Sequence, residues 1–211
     1  KVQLIVLAPE NRQFLIDSIN KAKESYQATV GKGKAALVQN DESWNVPRRL
    51  NFNSKFVKKS YSRSIMQPYF ARTNVSDSLS HFEEDSEVEV AFIKLLEDSD
   101  KVLWWFKNGT KDGSFFAVPY TENDALKPFY VDFIVQFKDG RIGLFDTKSG
   151  MTAQLASDKA EGLARYISDQ NKSGKNLFGG IVIQKDGSWR LNDKSKYKYM
   201  DDISDWSYLS F

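Results

Sequence analysis

Asp132, Asp146 and Lys148 are the residues of this chain whose types and spacing best suit chemistry. They lie at the far ends of two apolar runs, 131–137 and 142–147, that flank Lys138-Asp139-Gly140. Carboxylates on neighbouring strands can hold a hard divalent cation, with a lysine beside the water that the cation activates. That donor set belongs to metal-dependent phosphodiester hydrolysis.

The turn decides whether the two aspartates can meet. Strand side chains alternate between faces, so a shift of one residue in register moves a whole set to the other side. A two-residue Asp139-Gly140 turn pairs Gln136 with Gly143, sets Asp132 opposite Thr147, and sends the aspartates to opposite faces. A three-residue loop with Gly140 left-handed pairs Phe137 with Arg141 and sets Asp132 opposite Asp146. Facing carboxylates destabilise a sheet unless a cation offsets them. The competing reading is an exposed hairpin with solvated charged ends. The position of Asp132 between Phe129-Tyr130-Val131 and Phe133-Ile134-Val135 speaks against it, because a solvated carboxylate is least expected there.

Composition removes other chemistries. The 211 residues include no cysteine and one histidine, His81, which excludes disulfides, thiolate metal sites and histidine-rich zinc sites. A serine–histidine triad would have to use His81, which stands in an acidic stretch. Gly31-Lys32-Gly33-Lys34 lacks the spacing and following hydroxyl residue of a phosphate-binding loop. There is no secretory signal and no apolar run of bilayer length, so no membrane partner is expected, and a cytoplasmic location suits the cysteine-free composition.

Charge is unevenly spread. Between residues 46 and 76 lie Arg48, Arg49, Lys55, Lys58, Lys59, Arg63 and Arg72 with no acid, interleaved with Phe52, Phe56, Tyr61, Tyr69 and Phe70. The sign then reverses through Asp77, Glu83, Glu84, Asp85, Glu87 and Glu89. Such a basic and aromatic mixture suits a nucleic-acid backbone, with Arg48, Arg49, Lys58, Lys59 and Arg63 as contacts. It equally suits a basic segment held onto the domain by its aromatics.

The elements that must position these groups follow from periodicity. A strand is expected at 2–7 and a helix at 9–30 with Phe14, Leu15, Ile19, Ala22 and Tyr26 on one stripe. Residues 40–80 read as irregular. From Ser86 the order expected is a helix to about Leu96, a strand at 101–106, a strand at 115–120, a loop to Pro128, and the key hairpin. A helix at 153–167 follows, with Ala156, Ala160, Leu163, Ala164 and Ile167 buried, then strands at 178–184 and 188–191 across Asp186-Gly187. Glu89 falls at the edge of the first helix's buried face, where it either reaches a metal held by the sheet or complements the helix N-terminus. Lys159 opens the face of the later helix, facing a phosphate or solvent. No arrangement is assigned to 194–211.

Asp132, thirteen residues and then Asp146-Thr147-Lys148, in an α-β-β-β-α-β order, resemble the PD-(D/E)xK nuclease superfamily. Glu87-Val88-Glu89-Val90-Ala91-Phe92, Trp104-Trp105-Phe106-Lys107-Asn108, Val118-Pro119-Tyr120 and Pro128-Phe129-Tyr130-Val131-Asp132-Phe133 resemble one subgroup of it. That subgroup is the C-terminal endonuclease domain of type III restriction enzyme Res subunits and related superfamily 2 helicase-like proteins. The resemblance spans about 44–191, and Val131 replaces the proline that names the motif.

The resemblance implies an α/β restriction-endonuclease-like core, a mixed sheet flanked by helices, with an N-terminal arm. It implies that Asp132 and Asp146 bind Mg²⁺, for which Mn²⁺ would substitute, and that the Thr147 carbonyl completes the inner shell. Lys148 would orient or help deprotonate the attacking water and stabilise developing charge. Glu89 would contact metal directly or through water. Double-stranded DNA is the implied substrate, with a motor domain in the full-length chain and a methylase specificity subunit as partners. The expected division is 1–43 as the end of a preceding motor region, 44–85 as a basic irregular arm, 86–191 as the nuclease core and 192–211 as a C-terminal tail. Two other readings stand beside it. One is a silent nuclease fold that binds DNA without cutting; the other is a module that docks a motor or partner through exposed Trp104, Trp105 and Trp206.

Overall fold

Apolar residues that alternate along the strands need cover on both faces of a sheet, and helices supply much of it. The computed structural model describes residues 16–22, 44–50, 56–72, 86–110, 114–199 and 203–211. Among them the strands are β1 (Phe56–Lys59), β2 (Tyr69–Arg72), β3 (Val102–Lys107), β4 (Val118–Glu122), β5 (Ala125–Phe129), β6 (Phe133–Phe137), β7 (Ile142–Thr147), β8 (Leu177–Lys185), β9 (Ser188–Asn192) and β10 (Ser207–Tyr208). The helices are α1 (Glu87–Asp98), α2 (Gly150–Gln154) and α3 (Ser157–Lys172). Residues 16–22 are also helical and wholly exposed, Ile19 included; Phe14, Leu15, Tyr26 and the strand expected at 2–7 lie outside the described residues. No described helix is long and apolar enough to cross a membrane.

The central sheet is mixed, six strands in the order β10-β9-β8-β7-β6-β3, with β7 and β8 parallel and the other pairs antiparallel. Alternation divides its side chains. Phe133, Val135, Phe137 and Phe145 join Phe92, Ile93 and Leu96 of α1 in one core. Ile134 and Leu144 join Phe106, Phe116 and Leu163 of α3 in another. The parallel pair requires a close approach at Gly179, where a Cβ would stand 2.0 Å from the Leu144 carbonyl oxygen.

The key hairpin adopts the three-residue connection. Gly140 has φ +89°, the Phe137 N–H donates to Arg141 O at 2.9 Å, and Ile134 pairs with Leu144. The ladder ends at Phe133 opposite Phe145, and its register extended by one residue sets Asp132 opposite Asp146. The β8–β9 hairpin turns on Asp186 and Gly187, both with positive φ, as a two-residue primed turn demands.

Elsewhere the structure differs from the sequence reading. The loop expected before Pro128 is instead the β4–β5 hairpin, with Pro119 opposite Pro128 in a two-stranded sheet of its own. Proline is tolerated there because it is no central strand. The helix expected at 153–167 is two helices, broken at Leu155-Ala156. The basic segment is not irregular throughout: β1 and β2 pair, and Tyr69 and Ala71 enter the main core. Residues beside them run along β3, the Trp105 N–H donating to Arg63 O and the Ile65 N–H to Trp105 O, each at 2.9 Å. The Glu97 carboxylate gathers this corner, accepting from Ser62 and Arg63 N–H groups and from the Trp105 indole N–H.

Residues after 192 also belong to the fold. Tyr197, Ile203 and Trp206 pack against Ala153, Ala156, Ala160 and Ile181, and β10 extends the sheet. Trp206→Ala should therefore destabilise the protein by about 3–5 kcal/mol in a urea titration, as expected for emptying a buried aromatic site. A loss below about 0.5 kcal/mol would mean that this segment is an appendage.

Candidate metal centre

Strand register and one asparagine build the acidic end of the sheet. Extended one residue past the ladder, antiparallel alternation makes Asp132 and Asp146 a non-hydrogen-bonded pair, the kind with the closer side chains. A continued ladder would bond the Thr147 N–H to Val131 O. That carbonyl accepts instead from Asn108 Nδ2, at 3.0 Å. The same amide nitrogen donates to Phe116 O at 2.7 Å, and the Asn108 N–H donates to Asp132 O at 2.8 Å. Asn108 thus ends the ladder, and the Asp132 side chain takes over: its Oδ2 accepts the Thr147 N–H at 2.7 Å and the Thr147 hydroxyl at 2.8 Å.

Asp146 is buried to 1% exposure on the last turn of the pleat before Thr147. Lys148 Nζ stands 2.5 Å from Asp146 Oδ2 and donates to Thr147 O at 3.3 Å. The contact with Asp146 is an ion pair off the direction of a hydrogen bond, so this buried oxygen lacks a directed donor. From β3, Lys107 reaches into the same space. It forms an ion pair with Glu89 Oε1, lies 4.0 Å from Asp132 Oδ1, and stands 4.9 Å from the centre of the Phe133 ring. Glu89 Oε2 accepts the Ser86 N–H at 2.6 Å and closes the capping box of α1.

Three carboxylates face two ammonium groups here, leaving one unbalanced negative charge. It settles on Asp146. Burial first, then the charge of Asp132, push the Asp146 pKa up to about 7 against the pull of Lys148 and Lys159. Burial would also raise Asp132, but Lys107, Lys148 and the two Thr147 bonds outweigh it and hold that carboxyl below its ordinary value. Burial pulls Lys148 down, yet Asp146 and Asp132 outweigh it and keep the ammonium charged. A charged Lys148 suits stabilisation of negative charge and does not suit proton abstraction.

The donor set fits a small divalent cation. Such ions take one or two carboxylates with further oxygen donors, and the structure offers Asp132, Asp146, whose buried Oδ2 is held by the Lys148 ion pair, and the Thr147 carbonyl. Among the described residues no cluster of three acidic side chains forms a ready metal site. Glu89 closes the capping box of α1 and meets the cluster through its ion pair with Lys107.

The other expected residues are placed as follows. Lys159 is half-buried with its Nζ 5.6 Å from the Phe129 ring centre, and its charge acts on Asp146. Arg48, Arg49 and Lys58 are exposed and Lys59 is half-exposed. Arg63, expected among the DNA contacts, is half-buried. Its guanidinium donates to Val102 O at 2.8 Å and Glu97 O at 3.1 Å, which ties it to α1 and β3. Lys107 and Asn108 were missed as site residues; a lysine and an asparagine closing an apolar strand were the available signal.

Comparison of the chain with protein-family models, with curated proteins and with solved structures finds no match. The site speaks only through its own geometry.

A cation binding here below pH about 7 must displace a proton from Asp146. Calorimetric titration with Mn²⁺ in buffers of different ionisation enthalpy should therefore show close to one proton released per ion near pH 6 and few near pH 8.5. Affinity should rise up to about tenfold per pH unit below 7, and Asp146→Asn should abolish binding. Tight binding without pH dependence would show that Asp146 is not a ligand.

Proposed function

We propose that this chain is a metal-dependent nuclease module that hydrolyses phosphodiester bonds of double-stranded DNA. The observation that carries the reading is the facing pair Asp132 and Asp146, with the Lys148 ammonium held on Asp146 at the end of a buried hairpin. With the β4–β5 hairpin set aside, the order α1-β3-β6-β7-α3-β8 agrees with a restriction-endonuclease-like core, which is part of this proposal.

Asp132, Asp146 and the Thr147 carbonyl would hold Mg²⁺ or Mn²⁺. The ion would supply Lewis-acid polarisation of a phosphoryl oxygen and a more acidic water. Lys148, kept charged by its two aspartate neighbours, donates toward the oxygen on which negative charge develops. Lys107 holds Asp132 and Glu89 in place through its ammonium. Lys159, on the same side, approaches a phosphate flanking the scissile one. Arg48, Arg49, Lys58 and Lys59 remain available for backbone contacts, since phosphate contacts position a protein on DNA without reading its sequence. A motor domain and a methylase subunit that supplies sequence recognition complete the proposal.

The docking alternative loses its basis in two of its three tryptophans, because Trp105 and Trp206 are buried in the core at 0% and 2% exposure. The silent-binder alternative draws on the two ammonium groups that already pair the carboxylates.

A supercoiled plasmid assay with Mg²⁺ or Mn²⁺ separates these readings. Lys148→Ala should lower the cleavage rate by about 10²–10³-fold while DNA retention on a gel stays the same. Wild-type protein that binds Mn²⁺ and DNA but converts no plasmid, with or without Lys148, would favour the silent binder.

A further inference from the structure

Away from the carboxylates, the sheet face that carries Asp146 runs into a cavity of about 630 Å³. Ile134 and Leu144, paired across β6 and β7, contribute to its floor with Trp104 of β3. Leu144 precedes Asp146 by two residues on that face, about 7 Å along the strand. Trp44, Phe116 and Tyr166 line the sides. Their rings are braced against one another, Trp44 on Phe116 at 5.4 Å and Phe116 on Tyr166 at 5.9 Å between centroids, both edge-on. The Trp44 indole N–H donates to Ser114 O at 3.1 Å, which fixes that ring.

The volume lies within the range of about 300–1,000 Å³ typical of small-molecule sites. Two exposed cations, Arg48 and Lys175, line the cavity, and neither has an acidic partner among the described residues. Gln170 adds an amide that can both donate and accept. The lining therefore asks for a flat apolar body carrying an anion that two cations can share, with polar atoms on its edge. A simple aliphatic acid would use the floor and one cation but neither the aromatic sides nor the amide.

We propose that this cavity binds a nucleotide, its base against the Trp44 and Trp104 rings and its phosphate between Arg48 and Lys175. Stacking on aromatic side chains accepts any base, and a phosphate suits a guanidinium beside an ammonium. The ligand is either a free nucleotide or an unpaired residue of a DNA strand. This inference rests on the cavity alone and does not need the acidic end of the sheet to cut anything.

The test is tryptophan fluorescence without added metal, using dAMP, deoxyadenosine, a single-stranded (dA)₅ oligonucleotide and octanoate as probes. Trp105, Trp189 and Trp206 are buried in the core, so quenching reports Trp44 and Trp104. The expected result is saturable quenching by dAMP or by (dA)₅, weaker quenching by deoxyadenosine, and competition by inorganic phosphate. Arg48→Glu combined with Lys175→Glu, both on exposed positions, should weaken binding by about tenfold or more. Equal affinity for dAMP and the oligonucleotide identifies a free nucleotide as sufficient; binding of the oligonucleotide alone identifies a strand residue. Quenching by neither, binding unchanged by the charge reversal or by phosphate, or binding of octanoate in place of dAMP would each overturn the proposal. Because the readout is metal-free binding, its failure leaves plasmid cleavage untouched, and a failure of cleavage leaves it untouched in turn.

Discussion

Two carboxylates that face each other at the end of a buried hairpin set the terms for everything around them. Their opposition follows from a single backbone choice, the left-handed Gly140 that makes the connection three residues long. Charge of one sign in low-dielectric surroundings must be offset or neutralised. The fold supplies the offset from two directions, Lys148 directly after β7 and Lys107 from β3, which lies beside β6. Each lysine is committed to a carboxylate, and the sheet edge is crowded with charge that nearly balances. The proton that Asp146 retains up to about pH 7 completes that balance. A site of this kind holds a labile proton that a cation would have to displace, and the proposed chemistry rests on that exchange.

The second constraint is backbone satisfaction. Ending an antiparallel ladder inside a protein leaves N–H and C=O groups without partners, and buried groups of that kind are costly. Asn108 and Asp132 resolve this together, the first by taking the carbonyl that the ladder would have used, the second by accepting the N–H left over. Asp132 is therefore at once a ladder substitute and a candidate ligand. Its Oδ2 serves the fold, and its Oδ1 faces Lys107 and the open side of the site.

Much of this was legible in the residues themselves. Alternation and glycine positions gave the β8–β9 turn and narrowed the key hairpin to two registers, of which the three-residue connection is the one formed. Lys107 and Asn108 were not legible as site residues, because their significance depends on what lies across the sheet from them. Arg63 read as one more cation in a basic run, and only the neighbouring carbonyls of Glu97 and Val102 show where it is held. The β4–β5 hairpin was hidden by its two prolines and by the Asn123-Asp124 turn, which takes positive φ at both residues without glycine. Trp206 and Tyr197 pack singly into a third cluster, so no periodic pattern announced them. The break at Leu155 is silent for a related reason: Ala153, Ala156, Ala160 and Leu163 carry an apolar stripe straight through it.

The clamp made by Asn108 also anchors the segment that carries the β4–β5 hairpin. Its side-chain amide grips the backbone at Phe116 and at Val131, the two points between which the β4–β5 hairpin leaves and rejoins the main sheet. Buried hydrogen bonds therefore hold both ends of the segment that carries the hairpin. The base of the hairpin is secured a second time where Gly162 of α3 allows Tyr120 to approach, a Cβ there falling 2.5 Å from that of Tyr120. The tip at Asn123-Asp124 is bound by neither. It is the natural port for grafting a foreign loop or a reporter peptide onto this protein, since cargo inserted there hangs from a handle anchored at both ends.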